Sequence, residues 1–97
     1  MMELLWTPEA ISDRNAIYDY LEAKNPLAAL DIDDLISTKT AMLEDHPRAG
    51  REGRLANTFE LVIHSNYMAV YEIVDEQVWL LNIVHTARQW PPIDQNA

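Results

Sequence analysis

The feature that most constrains this chain is the run Val78-Trp79-Leu80-Leu81-Asn82-Ile83-Val84, apolar except for one asparagine and ending on His85. A run this short, branched and aromatic reads as a strand buried on both faces, near the middle of a sheet. Arg88 follows three residues after the histidine, and Trp90-Pro91-Pro92 then stops regular structure. Proline lacks an amide hydrogen and constrains the residue before it. The strand therefore delivers an imidazole and a guanidinium to one sheet end, the rigid placement that binding or chemistry requires. The plainer alternative is that His85 is a hydrogen-bonded structural residue.

The first half of the chain supplies cover for that sheet. Glu3 to Trp6 is a short apolar strand, followed by Thr7-Pro8-Glu9. Thr is a good N-cap, Pro suits the first helical position, and Glu favours the positive end of a helix. Ala10, Ile11, Arg14, Ile17, Tyr18 and Leu21 recur at helical spacing, which predicts a helix over about 8–23. Asn25-Pro26 repeats the start signal, and Leu27, Leu30, Ile32, Leu35, Ile36, Met42 and Leu43 carry a second helix to about residue 45. The His46-Pro47 step ends it. The link between the helices leaves room only for a hairpin. Asp31, Asp33 and Asp34 do not share one face, and no glycine loop of the calcium-binding type accompanies them, so they read as a solvated acidic face and not as a metal site.

Residues 46–54, His-Pro-Arg-Ala-Gly-Arg-Glu-Gly-Arg, hold both glycines of the chain and read as an exposed, mobile loop. Its three arginines either bind an anionic target or pair with the acidic helices. They lack the order of a nucleotide-binding glycine loop. Leu55 to His64, Tyr67 to Val74 and Gln77 to Val84 are branched and aromatic runs separated by Ser65-Asn66 and Asp75-Glu76. Two-residue separators make these consecutive antiparallel strands. In the middle run Tyr67, Ala69, Tyr71 and Ile73 share one face, and Met68, Val70, Glu72 and Val74 the other. The helices can cover one face, which leaves the other for a partner or for the chain's own tail. The fold class is α+β, a helical hairpin packed on a small, mainly antiparallel sheet in the order β-α-α-β-β-β, with residues 1–97 as one domain.

Composition narrows the function. There is no cysteine, so neither a disulfide framework nor a thiolate metal site is available, and no cofactor motif appears. The start of the chain does not read as an export signal and no apolar run spans a membrane, which suits a cytoplasmic protein. The net charge is −9, from 16 acidic and 7 basic residues, and this repels nucleic acid at long range. The basic character is local: Arg48, Arg51 and Arg54 lie between His46 and His64 with only Glu52 and Glu60 opposing them.

Thr7-Pro8-Glu9-Ala10, Asn25-Pro26-Leu27-Ala28-Ala29, His46-Pro47-Arg48-Ala49-Gly50-Arg51, Glu60-Leu61-Val62, Tyr67-Met68-Ala69-Val70-Tyr71 and Val84-His85-Thr86-Ala87-Arg88-Gln89-Trp90-Pro91 together resemble the RelE/ParE toxin family, over nearly the whole chain. The resemblance implies a helical hairpin on a small sheet and a toxin of a type II toxin-antitoxin pair, of the kind linked to plasmid stabilisation. It also implies a cognate antitoxin partner and a toxin-antitoxin hetero-oligomer. The RelE-like branch cleaves messenger RNA in the ribosome, and the ParE-like branch inhibits DNA gyrase. Cleaving RNA through its own 2′-hydroxyl needs a base, a cation on the phosphorane and an acid for the leaving oxygen. His85 would be base or acid, Arg54 or Arg88 the phosphate clamp, and Glu60 or His64 the other proton carrier. For a protein target, Arg48, Arg51, Arg54 and Arg88 would be the contact residues.

Two departures favour the ParE-like branch. Many relatives carry Gly-Thr-Arg-Glu-Leu where this chain has Asn57-Thr58-Phe59-Glu60-Leu61, and a phenylalanine cannot stabilise a phosphorane. The acidic surface works against docking on ribosomal RNA but leaves a protein target open. The ending Arg88-Gln89-Trp90-Pro91 also matches the ParE-like pattern. A third reading is an inactive relative kept as a binding module.

Overall fold

The computed structural model describes residues 1–87 and 90–91. The elements run β1 (Glu3–Trp6), α1 (Pro8–Lys24), α2 (Pro26–Ala41), a 3-10 turn (Met42–Glu44), β2 (Arg51–Glu52), β3 (Phe59–His64), β4 (Tyr67–Val74) and β5 (Gln77–His85). The five strands form one sheet in the order β1-β5-β4-β3-β2. β1 lies parallel to β5, and the other pairings are antiparallel. This is the α+β architecture expected. The strand richest in apolar residues does have a neighbour on each edge, although β4 holds the exact middle.

Local chemistry sets the helix boundaries. The Thr7 hydroxyl accepts the Ala10 amide at 3.1 Å, and Pro8 occupies the first turn, where an amide hydrogen has no partner to lose. Asn25 does two jobs. Its own N–H closes α1 on the Leu21 carbonyl at 2.7 Å, and its side-chain oxygen accepts the Ala28 amide at 3.2 Å to open α2. The hairpin therefore turns on a single residue. Arg14 then fastens the two helices together, donating to the Asp33 carboxylate at 2.8 Å, the Asp33 carbonyl at 3.2 Å and the Ser37 hydroxyl at 2.6 Å. Asp33 thus faces α1 while Asp31 is exposed, and among the described residues no group of three or more acidic or histidine side chains could hold a metal ion. α2 stops at Ala41, earlier than expected, and tightens into the 3-10 turn before Pro47.

The helices cover one face of the sheet. Ala10, Ile32, Ile36 and Leu43 meet Leu61, Ile63, Tyr67, Ala69, Tyr71, Val78, Leu80 and Ile83 in one cluster. Alternation puts Glu60, Met68 and Val70 on the opposite face, and these are buried as well. Arg54 donates to the Trp90 carbonyl at 3.1 Å, which ties the chain beyond His85 to the β2–β3 connection, and Trp90 and Pro91 are half-buried. No helix among the described residues is long and apolar enough to cross a membrane.

Two differences from the sequence reading have physical causes. Arg51–Glu52, expected in a loop, forms a two-residue strand opposite Phe59 and Glu60, too short to show any periodicity. The third strand opens at Phe59 and not at Leu55, because Asn57 sits at φ 64° in a turn closed by the Thr58 hydroxyl on the Leu55 carbonyl at 2.7 Å. Asparagine tolerates that left-handed conformation better than most residues.

β1 covers only the first part of β5, as far as Leu80. Beyond it, helix α1 serves the strand's exposed edge. The Thr7 amide donates to the Leu80 carbonyl at 3.0 Å, the Thr7 hydroxyl to the Leu81 carbonyl at 3.0 Å, and Asp13 Oδ2 accepts both the Ile83 amide and the Asn82 side-chain amide at 3.0 Å. Asp13→Ala should leave those two donors unsatisfied and cost about 1–3 kcal/mol, the usual penalty for an orphaned polar group. Urea denaturation would measure the loss, with the Ile83 amide exchanging faster; an unchanged midpoint would show that water replaces the carboxylate.

Candidate functional site

The three loop arginines are held by groups on β3 and β4. The Tyr71 phenol, fully buried in β4, accepts the Gly50 amide at 2.9 Å and donates to the Pro47 carbonyl at 2.7 Å. Burial pushes the phenol above its ordinary pKa, against the opposing influence of the Gly50 amide and Arg48. The Phe59 ring stacks on Tyr71 with centroids 5.4 Å apart, and the Arg48 guanidinium lies 5.7 Å over Phe59. Phe59 thus carries Arg48 by a cation–π contact.

Glu60 organises the other two. Its side chain is 1% exposed. Oε1 accepts Arg51 Nε at 3.2 Å and lies 3.1 Å from Arg51 Nη2, while Oε2 accepts the Arg54 backbone amide at 3.1 Å and lies 4.0 Å from Arg54 Nε. Arg51 and Arg54 remain 58% and 52% exposed, so each guanidinium keeps an outward side. The Gly53 amide donates to the Thr58 carbonyl at 2.7 Å and closes the segment. Both glycines are sterically required. A Cβ on Gly50 would meet the Tyr71 hydroxyl at 2.8 Å and the Glu60 carbonyl at 2.9 Å, and one on Gly53 would collide with the Thr58 hydroxyl. The loop expected to be mobile is therefore exposed but tied down along its length, and its arginines straddle the sheet edge. Arg48 leans on the helix-side ring of Phe59, and Arg51 and Arg54 converge on Glu60 on the outer face.

His64 and His85 occupy the far end of the sheet, whereas His46 begins the arginine loop. His64 and His85 both pair with Tyr67, one on each side of it. His85 Nδ1 accepts the Ala87 amide at 3.0 Å, which leaves Nε2 to carry the proton of the neutral ring, and the Tyr67 ring meets His85 edge-on at 5.1 Å. His64 Nδ1 accepts the Asn66 amide at 3.3 Å. Glu60 is aligned across the strands with Val70 and Asn82. It lies two strands from β5 and three residues short of His85, a separation of roughly 10 Å in each direction. Its side chain also points to the outer face, whereas the Tyr67 ring that touches His85 packs in the helix-side core. Glu60 gathers Arg51 and Arg54; it does not meet His85. Arg88 lies outside the described residues. Trp90 contributes its carbonyl to Arg54, and its buried indole N–H has no hydrogen-bond partner among the described residues.

Sequence reading missed the role of Tyr71. The available signal was a hydroxyl-bearing ring on the core face of the middle strand, which needs a polar partner when buried, together with a glycine in the loop able to approach it.

A family model described as the ParE toxin of the type II toxin-antitoxin system parDE matches residues 4–90. Toxin RelE2 of Caulobacter vibrioides is 34% identical over 88 residues, covering 91% of this chain and 99% of that protein. Among solved structures, a chain of the chromosomal ParDE toxin-antitoxin system from P. aeruginosa superposes with a TM-score of 0.78 at 26% identity, covering 88% of this chain and 96% of that one. The isolated E. coli RelE toxin shares the fold at 15% identity, with a TM-score of 0.65 over 93% of this chain and 89% of that one.

Tyr71→Phe should strand the Gly50 amide and the Pro47 carbonyl and cost about 1–3 kcal/mol. Because the folded-state pKa of Tyr71 is raised, its contribution is complete below pH 10.0 and is lost as pH rises through the folded value. The variant should therefore lack the alkaline loss expected of the parent. Gly50→Ala should cost about 1–3 kcal/mol by overpacking, because one of the atoms it meets is backbone. Thermal and pH denaturation curves test both, and a parent-like profile for Tyr71→Phe would dismiss the clamp.

Proposed function

The chain belongs to the ParE toxin family of type II toxin-antitoxin systems, and from that premise we propose that it arrests growth by binding DNA gyrase until a cognate antitoxin neutralises it. The observation that carries this reading is the use made of Glu60. Of the two carboxylates near the loop arginines, Glu52 and Glu60, Glu60 is buried and committed to Arg51 and Arg54, so it holds cations in place and is turned away from His85. RNA cleavage needs a base, an acid and a cation around one phosphate, and among the described residues His64 and His85 lie at the opposite end of β3 from the loop arginines, with His46 alone on the arginine loop. Phe59 occupies a position that stabilises a ring stack and not a phosphorane. A net charge of −9 also opposes docking on ribosomal RNA and leaves a protein target accessible.

On this reading Arg48, Arg51, Arg54 and Arg88 are contact residues. Arginine suits that role because its planar fork bonds carboxylates in two places and its charge persists at an interface. His85 then contributes packing and shape at the sheet end, with no proton transfer.

Growth arrest in cells expressing the chain alone tests the assignment. Arg88→Ala should abolish arrest, since truncating a desolvated charged contact costs roughly 2–5 kcal/mol of binding. His85→Gln should reduce arrest only modestly. In a nuclease the same change would slow cleavage by about 10² to 10⁴. The reverse ranking, with cut messenger RNA mapped in the expressing cells, would replace gyrase by the ribosome, and a parent chain without effect on growth would point to a binding module.

A further inference from the structure

His64 and His85 have no part in the arginine surface, yet they make the same contact as each other. Each imidazole accepts, through Nδ1, the backbone amide two residues further on. His64 takes the Asn66 amide at 3.3 Å, with the Ser65 hydroxyl 3.4 Å from the same nitrogen, and His85 takes the Ala87 amide at 3.0 Å. This is the turn that asparagine and aspartate make with a side-chain oxygen. The two turns are joined. The Thr86 amide donates to the Asn66 carbonyl at 2.8 Å and the Thr86 hydroxyl to the Ser65 carbonyl at 2.9 Å. The β3–β4 turn and the chain leaving β5 therefore form one corner, with a histidine paired on each side of Tyr67. Arg88 is the next residue after Ala87 in the chain, and Trp90 is tied down again by Arg54.

We propose that this corner is a pH-sensitive latch, in which His64 and above all His85 position the segment that bears Arg88. A neutral imidazole has one acceptor nitrogen, and here both rings use it on an amide; the imidazolium has two donors and no acceptor. Protonation therefore sets an N–H against the Asn66 and Ala87 N–H groups, and the contact that held each turn becomes a repulsion. Imidazole is the ordinary side chain whose charge changes between pH 5 and 8. No neighbouring group is placed to offset the new charges. Tyr67 of β4 stands between the two rings. Asp13, the carboxylate of α1 that reaches β5, is committed to the Ile83 amide, and Asp33 of α2, the helix packed on β3, is committed to Arg14. Among the described residues no ion pair reaches either histidine. His46 lies elsewhere, between the 3-10 turn and β2. The latch is a property of the fold, and only its effect on binding rests on the gyrase reading, through Arg88.

NMR of the full chain between pH 8 and 5.5 reads the latch directly. Exchange of the Ala87 and Asn66 amides with water, divided by the intrinsic rate of an open amide at each pH, should rise about tenfold as the histidines are protonated. His85→Asn replaces the ring nitrogen by an oxygen that makes the same turn and does not titrate. In that variant the Ala87 amide should stay protected across the whole range, whereas His85→Ala should leave it open throughout. Parent protection that is independent of pH, or that falls in His85→Asn as it does in the parent, would overturn the latch. The parent titration decides the matter even where a variant fails to fold. Affinity for purified gyrase should fall about tenfold over the same range in the parent and stay level in His85→Asn. An equal fall in both would assign the pH dependence to His46 or to the target and remove the positioning role. A chain that binds no gyrase at any pH would sink the target reading, and the exchange result would still decide the latch.

Discussion

Strand β5 is served along both edges, and most of the molecule is arranged to do this. On one side it pairs with β4 over nearly its whole length, and on the other with β1 as far as Leu80. The remainder of that second edge would expose unpaired amides and carbonyls beside an apolar core, an arrangement that costs a lost hydrogen bond for each group. Thr7, the N-cap of α1, and Asp13 within the helix remove the difficulty. The same contacts fix the first helix against the sheet, Arg14 fixes the second helix against the first, and the core closes between them. The first strand and the first helix both meet the last strand, and the elements between are positioned by it.

The opposite side of the sheet is governed by two buried polar groups. Tyr71 holds the loop from the helix side and Glu60 holds it from the outer side. Each presents arginines that the surrounding acidic surface would otherwise attract elsewhere. A buried carboxylate is expensive unless paired, and Glu60 is paired with guanidiniums that keep an outward side in water. That combination suits a contact surface: the cations are pre-positioned, and little side-chain freedom is left to lose when a partner arrives.

The parts of this fold that were legible in the sequence are those whose cause is local. Thr7-Pro8 and Asn25-Pro26 carry their capping chemistry on adjacent residues, and Ser65-Asn66 and Asp75-Glu76 lie between runs long enough to show alternation. The illegible parts depend on distant partners. β2 is a strand only because Glu60 and Phe59 lie opposite it, and Asp13 reads as a solvent-facing acid until β5 brings the Ile83 amide to it. The site divides in the same way. The arginine loop stands out as a basic island in an acidic chain, but nothing in the spacing shows that Glu60 and His85 occupy different faces, or that Phe59 carries Arg48 on a stack with Tyr71.

On the proposed reading these cations form a surface for a protein and not a centre for cutting RNA. Titrating the purified chain into a gyrase supercoiling reaction, with translating ribosomes and a defined messenger in a parallel tube, tests it most directly. Supercoiling is expected to stop at near-stoichiometric toxin and to recover when the antitoxin is added, while the messenger stays whole. Unimpaired supercoiling beside a messenger cut on the ribosome would contradict it.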